Sequence, residues 1–175
     1  KDQALLVEDP DGVIDFWTGF HQHHIDLASE PTARQFESHW IFDTQVGWGY
    51  ANASNQRITY PKHTDAQALR LETGNEDWWL FGHELGHQFQ TSDWTGGDVT
   101  EVCVNLFTMY TLNTYIYSGG NFQTLGRFDP DVVNHAVLRD MRWSDAGLFE
   151  KLDLYRQLIH EFGWDVMRGV FASYY

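Results

Sequence analysis

An α+β fold made mostly of helix is what this sequence predicts, and three observations carry it. Apolar residues recur at steps of three and four over several long stretches, while one short region has the aromatic and glycine-flanked pattern of strands. Hydrophobic residues make up 42% of the chain and aromatics 16%, which excludes disorder and supplies a core. At 175 residues the chain fits one domain, read here as residues 1–175, able to bury most of its apolar surface without disulfides. It opens with Lys1 rather than Met, so the sequence reads as a piece of a longer multidomain protein.

The elements follow in order. From Asp11 to about Ala28, the spacing of Val13, Phe16, Trp17, Phe20, His24 and Leu27 predicts a helix, with Asp9 or Asp11 able to cap it. Trp40, Phe42 and Val46 predict strand within residues 37–50, the segment Asn52 to Asn55 reads as turn, and Arg57 to Tyr60 as a second short strand. Between Glu76 and Gln90 the stripe Trp78, Phe81, Leu85, Phe89 predicts a second helix. Ser92 to Asp98 is a loop. A long helix is expected from about Val99 to Ser118, stopped by Gly119 and Gly120, and Asp98 with Glu101 resembles a capping box. Residues 131–141, 147–160 and 164–174 read as further helices.

Charge and cysteine content exclude several functions. A formal charge of −14 with only 11 scattered Lys and Arg gives no phosphate-binding face, so neither nucleic acid nor an anionic membrane is an expected partner. No apolar run of membrane-spanning length is present, which predicts no membrane insertion. Cys103 is alone, so neither an intrachain disulfide nor a thiolate zinc cluster can form; between Val102 and Val104 it reads as a small buried hydrophobe. Any bound metal must use His and carboxylates.

The chemistry concentrates at His83-Glu84-Leu85-Gly86-His87, which has the HExxH form. Four residues apart on a helix, His83 and His87 face one point, and Glu84 lies about 60° around the axis, within reach of a metal-activated water but not placed to be a ligand. The expected ion is Zn2+, bound by two imidazoles and one carboxylate with a fourth position for water. Glu84 is then the base that takes a proton from the attacking water and returns one to the leaving amine. The third ligand must come from another element. Glu101, after a loop containing Gly96 and Gly97, is the candidate, and it can cap the helix as well. Asn105, one turn further on, is placed to hydrogen-bond a ligand imidazole. Gly82 and Gly86 each cost a helix about 1 kcal/mol, so they mark either a strip for a close backbone, such as a substrate-side strand, or tight packing. His21, His23 and His24 lack an accompanying carboxylate at motif spacing and read as a solvated face. His160-Glu161 begins like the motif, but its fifth position is Trp164.

Trp78, the HELGH motif, Trp94, Gly97 and Glu101-Val102-Cys103-Val104-Asn105-Leu106 together resemble the enhancin-type, M-sixty-like metallopeptidases. Gly49-Tyr50, Ile58, Tyr60-Pro61 and Phe162-Gly163-Trp164-Asp165 extend the likeness over most of the chain. The resemblance implies a gluzincin: a small sheet, the active-site helix, and a helical subdomain supplying the third ligand. It also implies a secreted or cell-surface zinc endopeptidase acting on mucin-type O-glycosylated proteins. Trp94 and Asp98 are then where sugar or backbone contacts are expected, with packing for Trp94 and capping for Asp98 as alternatives. Tyr50, Tyr60 and His63 are oxyanion candidates by position. Two alternatives stay open: a glycan-independent zinc protease of the same fold, and a non-catalytic glycan- or protein-binding domain. The intact Glu84 argues against the second.

Overall fold

The computed structural model describes residues 7–29, 37–47, 49–54, 56–71, 78–117 and 141–174. Helix α1 (Pro10–Ala28) starts where Asp9 accepts a hydrogen bond from the Gly12 N–H. A three-stranded sheet follows, β1 (His39–Asp43), β2 (Asn52–Ser54) and β3 (Arg57–Pro61), in the order β1-β3-β2. β1 runs parallel to β3, with Trp40 opposite Ile58, and β2 antiparallel to it, with Ala53 opposite Ile58. Then come α2 (Asp65–Arg70), α3 (Trp78–His87), α4 (Thr100–Thr111), α5 (Leu148–Phe162) and α6 (Asp165–Ala172). The fold is mostly helical with a small sheet. The helix expected over residues 131–141 lies outside the described residues save Met141.

Two expectations about this region change. Asn52 to Ser54 is an edge strand rather than a turn, and the reversal falls just after it, where Gln56 takes a left-handed φ of 60°. A three-residue strand has too little periodicity to announce itself; its pairing with β3 makes it. Helix α2 was not anticipated either, because six residues show barely more than one turn of pattern.

The aromatic excess fills the space between sheet and helices. Trp40 stacks on Phe81 at 5.5 Å, Tyr60 meets Phe81 edge-on at 4.8 Å, and Trp17 meets Trp40 at 4.3 Å while donating its indole N–H to the Ala68 carbonyl. Edge-to-face and offset geometries add to the apolar burial itself. Beyond this layer α4 is the hub. Every residue from Val102 to Thr111 is buried, Cys103 included, and the helix continues into a π-helical turn at Leu112–Ile116.

α3 and α4 meet through the two glycines. A Cβ on Gly86 would sit 2.7 Å from Val104 Cγ2 and 2.9 Å from the Val104 carbonyl oxygen; one on Gly82 would sit 3.0 Å from Thr108 Cγ2. The backbone that approaches is therefore α4, not a substrate strand. Gly86→Ala is expected to lose stability on balance: overpacking costs about 1–3 kcal/mol against the roughly 1 kcal/mol that alanine adds to a helix. Gly169→Ala in α6, where a Cβ meets nothing within 4 Å, should gain instead. Urea midpoints of the two variants check the opposite signs, and equal shifts would refute the packing account.

Candidate metal centre

α3 presents His83 and His87 on one side, and the first turn of α4 turns Glu101 toward them. The two Nε2 atoms are 3.2 Å apart, and Glu101 Oε2 stands 3.1 Å from that of His83 and 3.6 Å from that of His87. Among the described residues, these are the three His, Cys, Asp or Glu side chains whose donor atoms converge.

The proton positions follow from the neighbours. Asn105 Oδ1 lies 2.9 Å from His83 Nδ1, and its amide group donates to the Glu101 carbonyl at 2.7 Å. Gln90 Oε1 lies 2.7 Å from His87 Nδ1, and its amide group donates to the Thr100 carbonyl at 2.6 Å. A carbonyl can only accept, so each amide turns its oxygen to the imidazole, and each Nδ1 carries the hydrogen. In its neutral form each imidazole then aims an Nε2 lone pair at the Glu101 carboxylate. A proton or a metal cation can bridge these donor atoms, and the donor set suits either. An ion bonded at roughly 2.0–2.1 Å to tetrahedral donors sets them about 3.3–3.4 Å apart, which the observed triangle fits. All-nitrogen-and-oxygen donors of this kind suit zinc.

Electrostatics point the same way. The two imidazoles hold the Glu101 carboxyl well below the usual carboxylate range. Burial disfavours the His87 cation, yet Glu101 and Gln90 outweigh it and raise its pKa. The cluster favours positive charge, the condition under which a metal ion can replace a proton.

Glu84 is buried on the adjoining face of α3. Burial pushes its carboxyl up most strongly, the His83 and His87 imidazoles oppose that, and the backbone N–H of Ala53 on β2 donates to it. Glu84, His83 and Asn105 line a cleft of about 320 Å3 with Tyr50, Trp79 and Phe149, so the Glu84 carboxyl borders a largely apolar-walled space.

The other expected residues divide. Tyr50 lines the cleft, with its hydroxyl 2.8 Å from His63 Nε2. Tyr60 is fully buried and donates to the Phe81 carbonyl, which removes it as an oxyanion donor. Trp94 stacks on Phe107 and packs at a tilt against Phe171, its packing alternative. Asp98 pairs with the buried Lys151 and caps nothing: α4 has no side-chain cap, and Glu101 points to the histidines, so the expected capping box is absent. His24 is wholly buried rather than solvated, because α1 is covered by α3, α4 and α6. Its Nε2 bonds the Gly82 carbonyl at 3.1 Å and its Nδ1 the Thr111 hydroxyl at 2.9 Å. Gln90 went unnoticed in the sequence. Its signal was its place three residues after His87, in the tight turn that follows α3.

Fold and site together define a mostly helical domain with an HExxH motif and a His-His-Glu cluster, able to hold a metal ion, on two facing helices. Residues 3–175 match the family described as Peptidase M60, enhancin and enhancin-like, and the chain belongs to it. Among curated relatives it is similar to TRPM8 channel-associated factor 3 of Mus musculus, at 24% identity over 96% of this chain and 19% of the relative. The TRPM8 channel-associated factor homolog of Danio rerio is also 24% identical, over 99% and 20%, and TRPM8 channel-associated factor 2 of Homo sapiens 24%, over 98% and 19%. The chain thus spans about a fifth of the length of these relatives. No solved structure matches it at a significant level.

Proposed function

We propose that this chain is the gluzincin-type core of a zinc endopeptidase, in which His83, His87 and Glu101 hold the ion and Glu84 is the base. The observation that carries the proposal is the convergence of three metal-ligating donor atoms beside a buried carboxyl. When bound, zinc would supply Lewis acidity, lowering the pKa of a water and polarising a carbonyl. Glu84 is placed to take a proton from the attacking water and return one to the leaving amine. Asn105 and Gln90 hold the imidazoles in the tautomer that leaves Nε2 free. Trp79 and Phe149 give the cleft apolar walls, which strengthens electrostatic contacts beside them.

The enhancin-type resemblance supports an O-glycosylated, mucin-type protein as substrate and a secreted or cell-surface location, with the chain fused to further domains. A glycan-independent protease of the same fold needs the same centre. A different reading, a domain that binds a protein partner without cleaving it, is favoured by relatives named as channel-associated factors; the intact Glu84 weighs against it, since binding requires no base.

Metal analysis of the full-length protein with digestion of a mucin-type glycoprotein decides among these. The expected result is one zinc per chain, and cleavage that chelation abolishes and added zinc restores. A folded protein that takes up no zinc would overturn the centre. Equal cleavage of the deglycosylated substrate would retire the glycan-dependent form, and zinc without cleavage of either would favour the binding domain.

A further inference from the structure

We propose that Gln90 is a positioning residue for this centre, one side chain that fixes both the free nitrogen of His87 and the place from which Glu101 reaches it. The inference rests on the metal-centre reading above and concerns this residue's two ends. One end, Oε1, accepts from His87 Nδ1 at 2.7 Å; the other, Nε2, donates to the Thr100 carbonyl at 2.6 Å, directly before Glu101. The first bond matters because His87 Nε2 also faces the Glu101 carboxylate at 3.6 Å. Remove the acceptor at Nδ1, and that carboxylate draws the imidazole hydrogen to Nε2, the atom a metal needs free. The second bond ties the chain just after α3 to the head of α4, across the same gap that the ion would span. Asn105 serves His83 differently: its amide group bonds the Glu101 carbonyl on its own helix, four residues back, and so makes no tie between helices at that end. Gln90 alone of the pair reaches from the HExxH helix segment to the backbone that carries the carboxylate ligand.

Gln90→Leu removes both ends, while Gln90→Glu keeps an acceptor for His87 and loses the donor to Thr100. Nitrogen NMR of histidine-labelled, metal-free protein, at a pH where both imidazoles are neutral, reads the first end without any metal. His87 should hold its hydrogen on Nδ1 in the wild type and in Gln90→Glu, and shift it toward Nε2 in Gln90→Leu. Chelator competition with zinc reads the second. Gln90→Leu is expected to bind about 10- to 100-fold more weakly, the usual range for outer groups that orient a ligand, and Gln90→Glu to recover part of that loss. An unmoved His87 tautomer in Gln90→Leu would overturn the proposal, as would equal loss of affinity in both variants tracked by equal loss of metal-free stability. A wild type that binds no zinc would sink the metal-centre reading, while the tautomer result still judges the Gln90–His87 contact by itself.

Discussion

Glu84→Gln is expected to leave zinc content unchanged and to slow peptide hydrolysis by about 10²- to 10⁴-fold, the usual contribution of a positioned general base. The substitution is nearly isosteric and keeps an oxygen to accept from the Ala53 N–H, so the bond to β2 survives. It removes only the capacity to take a proton. Because burial already disfavours the Glu84 carboxylate, a neutral amide is expected to cost the fold little there. Single-turnover cleavage, metal analysis and a urea midpoint on the same preparation separate the three effects. Activity within a few-fold of wild type would remove Glu84 from the role of base; loss of zinc alongside activity would make it part of the centre's architecture instead.

Acidification should destabilise the metal-free protein through His24. Burial, set against the Gly82 and Phe20 carbonyls, lowers its pKa from 6.5 to about 4. Between those values the unfolded chain binds a proton that the folded chain refuses. The His24 contribution is therefore at its full value above pH 6.5, falls as the pH falls, and is spent by about pH 4. The difference corresponds to about 3 kcal/mol. His21, also lowered by burial, acts in the same direction. His87 acts oppositely: its raised pKa gives stability that is present at low pH and lost as the pH rises through its folded value. Urea midpoints of wild type and His24→Gln across this range cancel the His87 effect in the difference. A slope unchanged by His24→Gln would show that the buried imidazole is not what resists acid.

The parts of the site that follow a regular period were legible in the sequence. His83 and His87 four apart, and Asn105 four after Glu101, needed only 3.6 residues per turn, and the structure brings these side chains together. What tertiary contact decides was not legible. α1 carries its histidines at 21, 23 and 24, and only the packing of α3, α4 and α6 around it makes His24 a core residue bonded to α3. Gly82 and Gly86 announced a close approach, but not which backbone approaches. Asp98 and Glu101 fit a local capping rule until Lys151 and the histidine pair, distant in sequence, claim each carboxylate. Gln90 sits where α3 has already ended, and no helical register points to it.

The backbone N–H of Ala53 beside Glu84 has a consequence for how such a chain can change over time. The Glu84 carboxyl is joined to the sheet by a contact that an amide satisfies equally well, whereas α4 is buried from Val102 to Thr111. Under the proposed role of Glu84, one nucleotide change at codon 84 would silence hydrolysis while leaving a folded domain, with its cleft intact, free to be recruited for holding a partner rather than cutting one.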